Sequence, residues 1–406
     1  MYYSYYKRDY PKDVLVYIEE FDKQSGTVLF DFIDSNEYFL FNEIINGQSS
    51  LEFPSMILLT NYRKRTIREN TIYSIKPKTI EAWSNQISSN IENSNSFLIG
   101  NTIDVSKNED EIFISSVSLN DFLDWQLNYY MYGRGDNSNI TIDRIGKLSV
   151  TIRNVGQGNW NEINFNDEKK IVYDAGAPMN ASRNDVIKII GDRNTIYNIS
   201  KPILILSHWD KDHYHGLLGM DDSELENNFS AFLCRDRVPN LTSRKLFARL
   251  AKALGNNNIY SIPADDRSTR GGPTFLRNLN SIDNQIVVYN SQHHKDRNIS
   301  GIVLSIKTNK RSIILPGDAH YEQISRDILG SLNYKHHHSL VVPHHGGKAG
   351  KYVYNNPNNM TLDQAIISVG ANRYGHPNSS NIRALRKSNF SIHQTNIKSR
   401  DITINL

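Results

Sequence analysis

The chain has 406 residues, of which 38% are hydrophobic, and this is typical of two or three folded domains rather than a disordered protein. Its formal net charge of +3 is too small to indicate nucleic-acid binding by itself. Its one cysteine, Cys234, excludes an internal disulfide and a thiolate metal cluster, so any bound metal ion is expected to be held mainly by His, Asp and Glu.

The first residues, Met1 to Lys7, lack the basic and then apolar pattern of a signal peptide. The longest apolar runs, such as residues 202–206, have the length of a strand and fall far short of the ~20 residues that span a bilayer. The sequence therefore predicts a soluble, cytoplasmic protein without a membrane segment.

Residues 1–140 are expected to form a small α+β domain. The runs 14–18 and 27–30 are rich in β-branched and aromatic residues and predict a β-hairpin. Apolar spacing in 80–91 and 119–130 predicts two amphipathic helices. No motif assigns a function to this domain, so substrate binding, dimerisation and docking of a protein partner stay open, as does the oligomeric state.

Residues 133–139 are rich in Gly, Asn, Asp and Ser and form the predicted boundary to a second domain at 141–406. They include the adhesion tripeptide Arg134, Gly135 and Asp136, but a polar linker is far more common for so short a match. Beyond them, β-rich runs alternate with helical stretches, which predicts sheets covered by helices. The predicted strands lie at 147–154, 170–173, 203–206, 286–289, 301–307, 312–315, 339–342 and 364–369, and the helices at 184–191, 243–254, 321–330 and 381–388.

The strand at 203–206 leads directly into a cluster of possible metal ligands, which are His208, Asp210, Asp212, His213 and His215. Crowded carboxylates repel one another, and a divalent cation relieves both this repulsion and the cost of their burial. If the chain stays extended, alternate residues from His208 to Asp212 face one side, and His213 faces a second ion. A solvated polar loop is the alternative, but the density of suitable ligands favours a metal site.

Two further strands end in possible ligands. The strand at 312–315 is followed by Gly317 and Asp318, and a carboxylate can offer one oxygen to each of two ions. The strand at 339–342 leads into His344, His345 and two glycines, which let the backbone approach a metal ion or phosphate closely. Either motif alone is typical of an ordinary turn, but their order after the first cluster favours one common site.

The strand at 364–369 leads into a loop that contains Asn372, Arg373, Tyr374 and His376. These side chains are suited to holding an anionic oxygen. A Gly/Pro loop without a binding role is the alternative for this segment in isolation.

In this order, the motifs resemble those of the soluble hydrolase domain of the ComEC family of competence proteins, a branch of the metallo-β-lactamase superfamily. The matching segments are residues 154–159, 174–176, 208–213, 298–300, 316–318, 344–347 and 368–377. The resemblance covers residues 147–406 and is specific, because several independent motifs agree in order and spacing. It implies an α/β (α+β) fold class, with a metallo-β-lactamase αββα sandwich that carries its metal site on loops at one edge.

The resemblance implies metal-dependent hydrolysis of a phosphodiester such as nucleic acid. The implied metal ligands are His208, Asp210, Asp212, His213, Asp318 and one of His344 or His345. Asp318 would bridge two divalent ions, and Asp212 or a neighbour would orient the attacking water. His376 and Asn372 would contact the scissile phosphate or the leaving oxygen, and Asp174 would orient the ligand loop. The sulfur-free ligand set suits Zn²⁺ or Mn²⁺.

The chain departs from the family pattern at five positions, which are Asn154, Asn159, His215, Pro316 and Gly347. His215 is thereby an additional candidate for a ligand or a base. Many superfamily members have a further histidine ligand before the Gly-Asp motif, and His293 is the candidate for it in this chain. The histidines 336–338 are expected to form an exposed loop.

A metal-dependent phosphodiesterase or nuclease, for which a bacterial defence effector is one setting, is the first interpretation. Two others stay open. The superfamily also contains lactone and thioester hydrolases, and fold analogy alone does not choose among substrates. A degenerate metal fold that serves as a binding module is the third, and an absence of bound metal would indicate it.

Overall fold

A computed structural model describes residues 13–46, 54–63, 67–87, 99–105, 112–113, 116–117, 147–263, 274–282, 285–292, 294, 296–332, 336–352, 360–372, 375–398 and 400–406. The chain divides into two compact units, one of Met1–Tyr130 with Val238–Lys245 and one of Met131–Arg237 with Leu246–Leu406. Within the described ranges, no helix is long and apolar enough to cross a membrane. The predicted boundary at 133–139 and the predicted helix at 119–130 lie outside the described residues.

The first unit is built on a six-stranded sheet with the order β5-β3-β2-β1-β4-β6. The predicted hairpin is confirmed, because β1 and β2 pair antiparallel with Ile18 opposite Phe30. Phe30 also packs on Trp83 of α2 in an aromatic core. The elements are β1 (Val14–Asp22), β2 (Thr27–Phe32), α1 (Ser35–Asn46), β3 (Met56–Thr60), β4 (Thr71–Ile75), α2 (Pro77–Ile87), β5 (Ile99–Asp104) and β6 (Ser116–Val117).

The second unit contains two seven-stranded sheets. Sheet A has the order β12-β11-β10-β9-β8-β7-β20, with β7 (Leu148–Ile152), β8 (Trp160–Phe165), β9 (Glu168–Ala175), β10 (Ile203–Ile205), β11 (Ala231–Arg235), β12 (Ile259–Ile262) and β20 (Ile402–Asn405). Sheet B runs in chain order, with β13 (Leu276–Ile282), β14 (Ile286–Ser291), β15 (Ile302–Lys307), β16 (Arg311–Leu315), β17 (His337–Val341), β18 (Thr361–Ile367) and β19 (Ser391–Gln394).

The remaining helices belong to the second unit, except that residues 241–245 of the 14-residue helix Leu241–Leu254 belong to the first unit. Their first turns carry side-chain caps where the sequence supplies them, as at Ser182, whose hydroxyl accepts from the backbone N–H of Asp185. The helices are α3 (Arg183–Ile190), α4 (Arg193–Ser200), α5 (Lys211–Leu218), α6 (Asp222–Asn228), α7 (Leu241–Leu254), α8 (Tyr321–Asp327), α9 (Ser379–Lys387) and α10 (Thr395–Lys398).

The main core of the second unit lies between the two sheets. Alternate side chains of each strand face it, so that Val288 of β14 packs between the sheets while Val287 and Tyr289 face the opposite way. The outer face of sheet B carries a second core with α8 and α9, and α4 and α5 lie on β9 of sheet A. These layers confirm the α/β class and the αββα sandwich that the resemblance to the metallo-β-lactamase fold predicts.

Candidate metal centre

The strand order brings the predicted motifs to one edge of the sandwich. The segment after β10 carries His208 to His213, the segment after β16 carries Asp318, and the segment after β17 carries His344 and His345. The strands β16, β17 and β18 run parallel, so their carboxyl ends meet at the same edge of sheet B. Sheet A adds the end of β10, which is parallel to β9 and β11.

The first motif does not stay extended to Asp212, so the prediction that alternate residues from His208 to Asp212 face one side is wrong. Asp210 still has extended backbone angles, but α5 begins at the next residue. Asp212 and His213 consequently lie in the first helical turn, and the backbone N–H of His213 donates to the carbonyl of Asp210. The turn from strand to helix, rather than a two-residue repeat, brings these side chains together.

One group of possible ligands surrounds the carboxylate of Asp318. Its Oδ2 lies 3.8 Å from Nε2 of His208, and its Oδ1 lies 3.3 Å from Nε2 of His213. Asp210 approaches the same imidazole, with Oδ2 at 3.4 Å from Nε2 of His208. The two oxygens of Asp318 therefore face two different histidines.

A second group surrounds Asp212. Its Oδ2 lies 3.1 Å from Nε2 of His345, and its Oδ1 lies 3.9 Å from Nε2 of His213. His345 is buried, whereas the neighbouring His344 is 27% exposed and has Nε2 at 3.8 Å from Oδ2 of Asp318. Both histidines of the third motif thus face the centre, from different sides.

The residues fit a divalent metal ion. Within the described part of the chain, the buried Nε2 atoms of His208, His213 and His345 make no aligned hydrogen bond, and the carboxylate oxygens that face them lie 3.4, 3.3 and 3.1 Å away. Leaving such buried atoms unpaired is unfavourable, and a metal ion would satisfy them. The ligand atoms of His208, His213 and Asp318 lie within 4.8 Å of one another, as do those of Asp212, His213 and His345.

Contacts behind the ligands fix which ring nitrogen faces the centre. The fully buried Asp174 lies 2.8 Å from Nδ1 of His213 and accepts hydrogen bonds from the backbone N–H and the hydroxyl of Ser207. Nδ1 of His345 lies 2.8 Å from the carbonyl of Ser368. When Nδ1 is engaged in this way, Nε2 is left as the nitrogen that can bind a metal ion.

Asn159 explains one departure from the family pattern. Its amide donates to Oδ2 of Asp174 at 2.8 Å, in a position where an aspartate would place a second carboxylate against the first. Gly347 explains another, because a Cβ at this position would collide with Nε2 of His376.

Arg297 is a residue of the centre that the sequence did not reveal. Nη2 of its guanidinium lies 2.7 Å from Oδ1 of Asp210, although the two residues are far apart in the chain. Burial raises the pKa of Asp210, but Arg297 and His208 oppose this and hold the pKa well below its usual value. Asp210 is therefore ionised and already paired with one cation.

The histidines respond to the same negative charges. Burial lowers the pKa of His213, but the carboxylates of Asp318 and Asp174 outweigh it and hold the pKa well above its usual value. Burial likewise lowers the pKa of His345, and Asp212 outweighs it. Without a metal ion the centre holds protons on these rings, and metal binding would release them.

Asn372 and His376 lie beside the centre and interact with each other. The amide of Asn372 donates to the carbonyls of Gly370 at 2.9 Å and His376 at 3.0 Å, and its oxygen accepts from the backbone N–H of His376. Burial, followed by His344 and His345, lowers the pKa of His376 to about 4, so its ring is neutral near pH 7. Arg373 and Tyr374 lie outside the described residues.

The remaining predicted histidines lie elsewhere. His215 is buried with Nδ1 at 2.9 Å from the carbonyl of Pro178, and His293 lies outside the described residues. The exposed loop predicted for 336–338 is wrong, because β17 begins at His337 and His338 is fully buried beside Ser312. Alternation along the strand places His338 on the inside of the fold.

This chain has limited similarity to known proteins. No protein-family model and no curated protein match the chain. The metallo-beta-lactamase fold protein YhfI from Bacillus subtilis is 12% identical over 64% of this chain and 100% of that chain, with a TM-score of 0.36. Human tRNase Z, short form, is 14% identical over 47% of this chain and 76% of that chain, with a TM-score of 0.29. A long form RNase Z from yeast is 14% identical over 73% of this chain and 48% of that chain, with a TM-score of 0.34.

Proposed function

We propose that the second unit is a metal-dependent phosphodiesterase that acts on nucleic acid or another phosphodiester. The observation that carries this proposal is the convergence of three buried Nε2 atoms, those of His208, His213 and His345, on the carboxylates of Asp212 and Asp318. A structural role gives little reason to bury three imidazole nitrogens against carboxylates without an aligned hydrogen bond, whereas a hydrolytic metal centre requires such groups.

Two positions for a divalent ion follow from the ligand groups. We define the B position by Asp212, His213 and His345, and the A position by His208 and Asp210. Asp318 is shared, because its two oxygens face one histidine of each position. The nitrogen and oxygen ligands suit Zn²⁺ or Mn²⁺.

Ions bound at these positions would lower the pKa of a water molecule and neutralise the negative charge that develops on phosphate oxygens. The chain supplies the orientation of this water. The carboxylate of Asp212 is 20% exposed and that of Asp318 is 4% exposed. The similarly exposed carboxylate of Asp210 is engaged by Arg297, so Asp212 is the carboxylate that best suits contact with a water molecule. We assign to Asp212 the orientation of the attacking water.

We assign to His376 contact with the phosphate or the leaving oxygen of the substrate. Its ring is neutral near pH 7 and lies 5.3 Å, between ring centroids, from His344 at the open side of the centre. A neutral imidazole can donate an N–H hydrogen bond to an anionic oxygen, and because it has no charge it is not repelled by nearby metal ions. Because Asn372 directs its amide to the backbone of His376, we revise its role from substrate contact to positioning of His376.

The test is cleavage of single-stranded DNA, double-stranded DNA, RNA and a generic phosphodiester probe, each with Mn²⁺, Zn²⁺ or Mg²⁺. The Asp318→Asn variant is expected to lose cleavage, because one bridging oxygen is replaced by an amide nitrogen that cannot bind a cation. The Asp222→Asn variant is the matched control, since Asp222 pairs with Arg249 on the surface. It is expected to cleave as the wild type does.

Two outcomes would contradict the proposal. Turnover of lactone or thioester probes, with none of phosphodiesters, would show that the centre serves acyl transfer. A folded protein that binds no metal ion, and that a chelator does not destabilise, would show a binding module with a degenerate site.

A further inference from the structure

The A and B positions differ in the charge that surrounds them. At the A position, Oδ1 of Asp210 lies 2.7 Å from Nη2 of Arg297. At the B position, the carboxylate of Asp212 lies beside the imidazoles of His213 and His345. Imidazoles become neutral ligands when they bind a metal ion, whereas a guanidinium keeps its charge at any pH at which the protein is folded.

Arg297 is held firmly where it is. It opens the 3-10 helix Arg297–Ser300 that precedes β15, and its side chain is 8% exposed. Nη1 donates to the carbonyl of Trp209 at 2.9 Å, so the guanidinium spans two adjacent residues of the ligand segment. A cation in the A position would therefore bind Asp210 while the fixed positive charge of Arg297 contacts the same carboxylate.

One carboxylate of the A position is also engaged outside the metal centre. Among the described residues, His208 is accompanied there by Asp210 and the shared Asp318, with His344 near the same Asp318 oxygen, and Oδ1 of Asp210 is engaged by Arg297. The B position has two histidines and Asp212 in addition to the shared carboxylate. Repulsion by the guanidinium and the engagement of Oδ1 of Asp210 act in the same direction.

We propose that Arg297 makes the two metal positions unequal, so that the B position fills first and the A position binds its ion weakly. This inference rests on the metal-binding part of the proposed function and not on the substrate. It gives Arg297 a role in setting how many ions the protein holds at a given metal concentration.

The test is calorimetric titration of the metal-free protein with Mn²⁺, in the wild type and in Arg297→Met. The wild type is expected to show two dissociation constants that differ at least about tenfold. In Arg297→Met the weaker ion is expected to bind at least about tenfold more tightly, because the fixed charge is gone, while the tighter constant changes less than about threefold.

Matched controls separate this effect from general damage. Arg235→Met removes another buried guanidinium, but this one donates to Asn290 and Ser291 and is expected to leave both dissociation constants unchanged. Asp210→Asn is expected to abolish binding of the weaker ion and to spare the tighter one, which assigns the weaker ion to the A position.

Specific results would overturn the inference. If both dissociation constants are unchanged in Arg297→Met, or if the second ion binds more weakly, Arg297 only orients Asp210. If Arg297→Met does not fold, Arg297→Lys keeps the charge and must keep the unequal constants, so a tightened second ion there would contradict the inference. A wild type that binds no ion would instead refute the metal proposal itself.

Discussion

Nδ1 of His213 lies 2.8 Å from Oδ2 of Asp174, and the opposite ring nitrogen, Nε2, lies 3.3 Å from Asp318. The imidazole of His213 therefore lies between two carboxylates, that of Asp174 behind the ligands and that of Asp318, which faces the centre. Asp174 also holds the turn before α5 through two hydrogen bonds from Ser207. Its backbone has a positive φ of 60°, which is unusual outside glycine and places the carboxylate under the ligand segment.

Replacement of Asp174 by Asn is expected to lower the affinity for the tighter metal ion by about 10- to 100-fold. The amide NH₂ would face donors from Asn159, Ser207 and His213, so that at least one of them loses its acceptor. Metal titration of the variant measures the change. Circular dichroism of the metal-free variant is the control for folding, and an unchanged dissociation constant in a folded variant would contradict this role.

The sequence predicted more than half of the strands of the second unit, because the chemistry of these strands is simple. Buried runs of Ile, Leu and Val, such as those of β10, β15 and β16, can form little else between turn-forming residues. The order of the motifs then implied the layers of the sandwich, and these are confirmed. Strands β8, β11, β12, β13 and β19 were missed. Strand β8 was hard to predict because Trp160–Phe165 contains two asparagines and a glutamate that are nonetheless buried.

The centre was harder to predict than the strands. Helix α5 has the sequence KDHYHGLL, whose polar residues and glycine obscure a helical pattern. The contact between Asp210 and Arg297 depends on the approach of a distant loop, and no local pattern encodes it. The sequence indicated which residue types lie together. The turn that brings them together, and the position of Arg297 beside them, could be seen only in the folded structure.

Gly176 is expected to be essential to the position of Asp212. A Cβ at Gly176 would overlap the backbone carbonyl of Asp212, which accepts a hydrogen bond from the backbone N–H of Asn159. Gly176→Ala is therefore expected to lower the free energy of unfolding by about 1–3 kcal/mol and to weaken metal binding. Gly330→Ala is the matched control, since nothing lies within 4 Å of a Cβ there. Equal stability of the two variants in urea would contradict the prediction.

His376 is expected to act on the substrate and not on the metal ions. His376→Gln should lower kcat about 10²- to 10³-fold, the usual effect of removing a hydrogen-bond donor to an anionic oxygen, with the bound metal unchanged. Asn372→Ala should give a smaller loss in kcat, because the ring of His376 remains but its backbone loses two hydrogen bonds. Steady-state kinetics and elemental analysis of the same samples test both statements. Loss of metal from either variant would place these residues in the ligand set instead.

His338 is expected to make the second unit sensitive to acid. Burial, together with His336, lowers the pKa of His338 to about 3 from the usual value of 6.5. The unfolded chain therefore binds a proton that the folded chain does not, and the stability that is fully present above the unfolded pKa is lost as the pH falls below 6.5.

From pH 7 to pH 5 this group alone is expected to lower the free energy of unfolding by about 2 kcal/mol. Urea unfolding in chelator, at both pH values, measures the difference without interference from bound metal. The His338→Gln variant should lose about 2 kcal/mol less than the wild type over this range, whatever its stability at pH 7. Replacement of the exposed neighbour, His337→Gln, is the matched control and should leave the pH dependence unchanged. The same pH dependence in His338→Gln and the wild type would show that His338 takes up its proton in the folded protein as readily as in the unfolded chain.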